Sequence, residues 1–174
     1  ALLSACQQSG HPCLYPVVVL AVSTGMRHGE ILGLCWQDID LIRHRITLEQ
    51  TKNGDRRSVP LVGRARVAIG EHARVRRIDT PLVFPSRRKP RVPADLRKPW
   101  AIAVEAAGLV DFRFHDLRHT CASYLAMSGA TLAEISEVLG HKTLAMVKRY
   151  AHLSESHTAK VVERMSRHMF RSAV

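Results

Sequence analysis

Apolar and polar positions recur with two different periods along this chain, and the switches between them mark its elements. Residues 14–24 are almost continuously apolar, which predicts a buried helix. Gly25 is a natural break after it, because glycine accepts the backbone that ends helices. A short helical segment then runs from Arg27 to Leu34, with Arg27 and Glu30 on one face and Ile31 and Leu34 on another. Trp36-Gln37-Asp38-Ile39-Asp40 ends it. The period now changes to two. Arg45-Ile46-Thr47-Leu48-Glu49 alternates as a half-buried strand does, and Arg57-Ser58-Val59-Pro60-Leu61 returns as a second. Between them Lys52-Asn53-Gly54-Asp55 carries an Asn-Gly hairpin signal. Pro60 has no N–H to give to a ladder, so its strand is expected at an edge or to stop there.

The helical period resumes at residues 64–77, a stretch with five arginines. Residues 81–93 hold four prolines and the basic run Arg87-Arg88-Lys89-Pro90-Arg91, and are expected to form a mobile loop able to reach a ligand. Further helices are predicted at 94–107, closed by Gly108, and at 115–127, closed near Gly129. Thr131 with Glu134 forms a capping box that opens Leu132–Leu139, and Gly140 ends that helix. One or two helical turns follow from Thr143 to Tyr150. A last amphipathic helix runs from Ser154 to Met169, with Val161, Val162 and Met165 on one stripe. The fold class is therefore α+β and mainly helical, with a small antiparallel sheet of two or three strands. No internal repeat or low-complexity segment interrupts it.

Length and composition fit one such domain over residues 1–174: 46% of residues are apolar and 24% charged. The longest apolar run, Leu14 to Val22, is far too short to span a bilayer. No signal-peptide pattern opens the chain, and the expected location is the cytoplasm. The chain opens on Ala1 with helix-like sequence close behind, which suggests a domain cut from a longer protein. Cys6, Cys13, Cys35 and Cys121 form no C-x-x-C pair and are expected as reduced thiols.

Charge changes the picture more. The net charge is +11, and residues 56–98 hold 13 of the 26 Lys and Arg against Glu71, Asp79 and Asp95 alone. A basic segment of this density points to a polyanion, most often nucleic acid.

Chemistry concentrates in Phe114-His115-Asp116-Leu117-Arg118-His119-Thr120. On a helix His115 and His119 stand at i and i+4, the spacing that serves zinc in H-E-x-x-H. Arg118 between them is unfavourable beside a dication, and no third ligand follows at regular spacing, so neither metal nor cofactor is expected. Two core-facing histidines with a surface arginine are the plain alternative. Arg27, Lys52, His115, Arg118, His141 and Tyr150 are all able to donate to a phosphate or attack it. Taken singly, each has an ordinary explanation as a surface or half-buried residue.

Together they resemble a family. Thr24-Gly25-Met26-Arg27-His28-Gly29-Glu30-Ile31 with Leu34-Cys35-Trp36-Gln37-Asp38-Ile39-Asp40 resembles the first arginine box of the tyrosine recombinases, the phage integrase family. Thr51-Lys52-Asn53-Gly54-Asp55-Arg56-Arg57-Ser58-Val59-Pro60-Leu61 resembles its lysine hairpin, and His115-Asp116-Leu117-Arg118-His119-Thr120 its H-x-x-R box. Leu139-Gly140-His141-Lys142 and Arg149-Tyr150-Ala151-His152 are similar to its final histidine and tyrosine boxes. Cys121 and Val147 stand where an aromatic and a threonine are frequent. The DNA-binding domains usual ahead of this one in the family are absent from this chain.

The resemblance implies the catalytic core of a DNA breaking-rejoining enzyme: a site-specific recombinase that cleaves and rejoins strands through a 3'-phosphotyrosine, without metal or nucleotide. It makes Tyr150 the nucleophile, Arg27, Arg118 and His141 donors to the phosphate, Lys52 the general acid for the leaving 5'-oxygen, and His115 a helper. One such donor is worth roughly 3 to 4 kcal/mol in the transition state. Glu30 is expected to orient Arg27 or to form a plain surface ion pair, and His119 to be structural. Arg56, Arg57, Arg87, Arg88, Lys89 and Arg91 are expected as contacts to double-stranded DNA. The implied assembly is a tetrameric synaptic complex on DNA, with the isolated domain a monomer. The last helix would dock on a neighbouring protomer or fold back on its own core. A type IB topoisomerase uses a similar constellation, and a DNA-binding module that has lost catalysis is a second alternative. The compact boxes speak against the first and the full set of six groups against the second.

Overall fold

Helices form where the apolar period is helical, and one small sheet forms where it is two. The structure, a computed structural model, describes residues 1–48, 56–141 and 143–170, with nothing said of the side chains of 153–160. Among the described residues the order is α1 (Leu2–Gln8), α2 (Leu14–Thr24), α3 (His28–Leu32), β1 (Ile39–Asp40), β2 (Arg45–Leu48), β3 (Arg57–Pro60), α4 (Gly63–Arg74), α5 (Arg97–Ala106), α6 (Asp116–Met127), α7 (Leu132–Leu139) and α8 (Glu155–Met169). The expected fold class, mainly helical with a small antiparallel sheet, is the observed one. The Asn-Gly turn and Lys52 lie outside the described residues.

The sheet has three strands in the order β1-β2-β3, all antiparallel. The third comes from Ile39-Asp40, which the sequence pattern read only as a helix end; Ile39 pairs with Ile46. In β3, Pro60 is the last residue of an edge strand, the place its missing N–H requires. Ile46 and Leu48 of β2 face the core together with Val59 of β3. Side chains two apart share a face, so Arg57, opposite Leu48, lies on this same inward side.

Two compact units divide the chain, Ala1–Cys121 and Ala122–Val174. In the first, α2 is buried nearly all round, with Leu14, Val17, Val18, Val19, Leu20 and Ala21 at 1% exposure or less. It lies against α4, which offers the small residues Ala65 and Ala68 and the buried Ile69. Burying each such aliphatic side chain is worth about 1.5–3 kcal/mol. Val59, Phe84 and Leu117 extend this core to the sheet, the 81–93 segment and the start of α6. In the second unit a smaller cluster of Ala122, Ala126, Ile135, Leu139, Val147 and Tyr150 is buried.

Several expected boundaries move for local reasons. Arg27 caps α3 rather than opening it. α4 stops at Arg74, three residues before the expected end, because Val75 leaves the helical region. Beyond it Arg76 lies 5.6 Å over the Trp36 ring, and Arg77 pairs with Asp79 at 2.6 Å. The 81–93 segment is a loop, as expected, but not a free one. Val83 and Phe84 anchor it in the core, Pro85 bridges Pro93, and Thr80 Oγ1 donates to the Pro90 carbonyl at 2.5 Å. The Arg87 guanidinium adds a bond to the Gly10 carbonyl at 2.9 Å. Residues 143–150 form short 3-10 stretches, Leu144–Met146 and the start of Lys148–Ser154.

Candidate active site

The α2–α3 turn is built so that two arginines meet at it. α2 ends as its sequence dictates. Thr24 Oγ1 donates back to the Leu20 carbonyl at 2.6 Å, and Gly25 adopts a φ of 64°. That left-handed residue turns the chain and aims the Gly25 carbonyl away from the helix axis. Arg118, only 4% exposed, donates from Nη1 to this carbonyl at 2.5 Å, across 93 residues of sequence. Arg27 lies two residues past Gly25. Its backbone N–H donates to Glu30 Oε2 at 2.9 Å, and its Nη1 donates to Glu30 Oε1 at 2.7 Å.

Glu30 does more than cap. Arg57 Nη2 also donates to its Oε2, at 3.0 Å, and the Glu30 and Arg57 side chains are only 9% and 10% exposed. Arg27, at 25%, is the more open end of this row. Burial pulls the Arg57 guanidinium below its ordinary value, Glu30 opposes that shift and Arg27 adds to it. Glu30 is thus a buried carboxylate between two arginines, not a plain surface ion pair. β3 turns Arg57, expected as a phosphate contact, inward onto Glu30. The signal was available, since Arg57 lies two residues from the core residue Val59.

His115 is exposed and lies just ahead of α6, not inside it, because Asp116 starts the helix by accepting the Arg113 N–H at 2.7 Å. Its ring meets His119 edge-on at 5.0 Å. Among the described residues no group of three or more His, Cys, Asp or Glu is placed to hold a metal. Arg56, Arg87, Arg88, Lys89 and Arg91 are exposed, Arg87 being tethered as described.

His141 and Tyr150 belong to the second unit. The capping box opens α7 as expected, with Glu134 N–H donating to Thr131 Oγ1 at 3.2 Å and the Thr131 N–H donating to Glu134 Oε2 at 2.7 Å. Gly140 closes it with a φ of 66°. The His141 N–H then donates to the Ser136 carbonyl at 2.9 Å, and Ser136 Oγ donates to the His141 carbonyl at 3.2 Å. This fixes the backbone on which the imidazole stands. Tyr150, 7% exposed, lies in the unit's apolar cluster, its N–H donating to the Val147 carbonyl at 2.9 Å. The structure therefore brings Arg27 and Arg118 to one turn in the first unit and sets His141 and Tyr150 in the second.

A sequence profile of the phage integrase family matches residues 1–157. The chain belongs to that family. Among relatives, the integrase of Salmonella phage P22 is 34% identical over 174 aligned residues, covering 90% of this chain and 42% of the relative. The shufflon-specific DNA recombinase of Escherichia coli is 37% identical over 142 residues, covering 80% of this chain and 35% of the relative. This chain thus spans less than half the length of either. The catalytic domain of bacteriophage HP1 integrase superposes with a TM-score of 0.70 at 29% identity, covering 93% of this chain and 88% of that one. The mainly helical core with its three-stranded sheet is thus the fold of an integrase catalytic domain.

Proposed function

We propose that this chain is the catalytic part of a site-specific DNA recombinase that cleaves and rejoins strands through a 3'-phosphotyrosine. The observation that carries the reading is the convergence of Arg118 and Arg27 on the turn at Gly25, in a chain of the integrase family. Two fixed guanidinia suit the negative charge that gathers on the non-bridging oxygens of a five-coordinate phosphorus. His141 adds a further donor. Tyr150 attacks the phosphorus, and Lys52 gives a proton to the 5'-oxygen as it leaves. His115 holds the site or assists proton transfer at the Tyr150 phenol. Rejoining reverses these steps: the 5'-hydroxyl attacks the phosphorus, the bond to the Tyr150 oxygen breaks and the phenol leaves, so the ester bond energy is kept and no nucleotide is needed.

Double-stranded DNA is the proposed substrate, in keeping with the name of the shufflon relative. Arg56, Arg87, Arg88, Lys89 and Arg91 supply exposed charge for phosphate contacts. A tetrameric synaptic complex on DNA is the proposed assembly, and the exposed Val162, Met165 and Met169 of α8 support self-association through that helix. Among the described residues no helix is long and apolar enough to cross a membrane.

The test uses a library of duplexes nicked close to the cleavage point, so that a cleaved strand is lost and the covalent complex accumulates. A DNA adduct that survives denaturation without added divalent ion, and is missing in Tyr150→Phe, is the expected result. An adduct that persists in Tyr150→Phe overturns the choice of nucleophile, and a requirement for Mg2+ overturns the mechanism.

A further inference from the structure

The geometry points to Arg57 as an electrostatic positioning residue that keeps the charge of Arg27 available to a phosphate. The inference rests on the reading above that Arg27 stands at the reacting phosphorus.

Glu30 is the reason such a residue is needed. Its carboxylate fixes Arg27 twice, at the backbone N–H and at Nη1. That double grip holds the guanidinium in one orientation, but it also places a full negative charge 2.7 Å from it. With only 9% of the Glu30 side chain exposed, water screens that charge poorly. Arg27 and Glu30 alone sum to zero, and a neutral pair is a weak partner for a phosphorane. Arg57 changes the sum. It binds the same oxygen, Oε2, that caps the Arg27 N–H, from a side chain itself 10% exposed. The three side chains then carry a net +1. Arg57 sits inward on β3, and the more exposed Arg27 is the end of the row open to a ligand. Glu30 holds the geometry, and Arg57 cancels the electrostatic penalty of holding it.

A merely structural role and a charge role separate in a double-variant experiment. Arg57→Met keeps an apolar stem and drops the three-residue sum to zero. Adding Glu30→Gln returns the sum to +1 while leaving an amide oxygen to accept from the Arg27 N–H. The readouts are the rate of covalent adduct formation on the nicked duplexes and equilibrium affinity for an intact duplex, with thermal melting run alongside. Arg57→Met is expected to slow adduct formation about tenfold, as removal of one nearby charge in a poorly screened site does. The Glu30→Gln/Arg57→Met double variant is expected to recover most of that loss, and Arg57→Lys to stay within about threefold of the native chain.

A double variant as slow as Arg57→Met, or slower, overturns the inference, because a packing defect accumulates rather than cancels. Native rates in Arg57→Met overturn it as well. If Arg57→Met does not fold, Arg57→Gln against Arg57→Lys replaces it, and equal rates in those two are then the overturning result. A native chain that forms no adduct removes the catalytic reading and this inference with it. Adduct formation by the native chain with Arg57→Met unaffected removes this inference alone.

Discussion

The two units hold their chemistry in different ways. Arg27 and Arg118 stand on a unit whose core includes 26 buried residues among those described, and each arginine is fixed by hydrogen bonds to a carboxylate or a carbonyl. Tyr150 and His141 stand on a unit whose cluster has six, Tyr150 on backbone that runs in short 3-10 turns. Few buried apolar contacts and exposed backbone hydrogen bonds mean a lower free energy of local opening. Groups that stabilise charge are worth most when they cannot reorganise, whereas the nucleophile proposed, Tyr150, is buried at 7% exposure in the smaller cluster. The contrast suits those two tasks.

The largest effect is expected in the first unit. Replacing Arg118 by Met leaves the Gly25 carbonyl without this donor and removes a buried charge. Adduct formation is expected to fall roughly 100- to 1,000-fold, measured on the nicked duplexes. A loss under tenfold would separate Arg118 from the phosphate. In the second unit, Leu139→Ala opens a cavity and should cost about 2–5 kcal/mol. Because that cluster is small, amide exchange should accelerate across residues 132–152 while α2 stays protected. Equal acceleration in α2 would mean that the two units open together. A smaller effect is expected from Thr131→Ala, which removes the cap acceptor of Glu134 N–H: about 1 kcal/mol, with faster exchange confined to the first turn of α7.

The smallest effect concerns pH. His72 Nε2 donates to the Val83 carbonyl at 2.8 Å, and the ring stacks on Phe84 at 5.1 Å. Burial holds the imidazole below its ordinary 6.5, with the carbonyl bond opposing. The unfolded chain therefore takes up this proton first as pH falls, and stability present above 6.5 declines below it. His11 and His28 are lowered too, so they act in the same direction. The melting temperature is expected to drop between pH 7 and 5, and His72→Gln to flatten part of that drop. An unchanged slope in His72→Gln would place the titration elsewhere.

Much of this was legible in the sequence. Gly25 and Gly140 end their helices, the Thr131–Glu134 box opens one, and Pro60 closes an edge strand, because each depends on a dihedral, a missing N–H or a cap only a few residues long. The six groups proposed for the site came from a resemblance, and one of them, Lys52, lies outside the described residues. At Arg57 charge and periodicity conflict. Its charge argued for the surface, and its spacing from Val59 argued for the interior. At 81–93 the loop itself was legible, but its prolines and basic run hid the anchor of Val83 and Phe84.

By itself, then, the sequence determined the elements, their ends and the types of chemistry on offer, since these follow from local sterics and from apolar period. Only the tertiary structure decided which charges are spoken for. A buried guanidinium is tolerable only where a carboxylate meets it, and Glu30 meets Arg57 from 27 positions away. Arg118 likewise finds a partner far along the chain, the Gly25 carbonyl at the end of a helix 93 residues earlier.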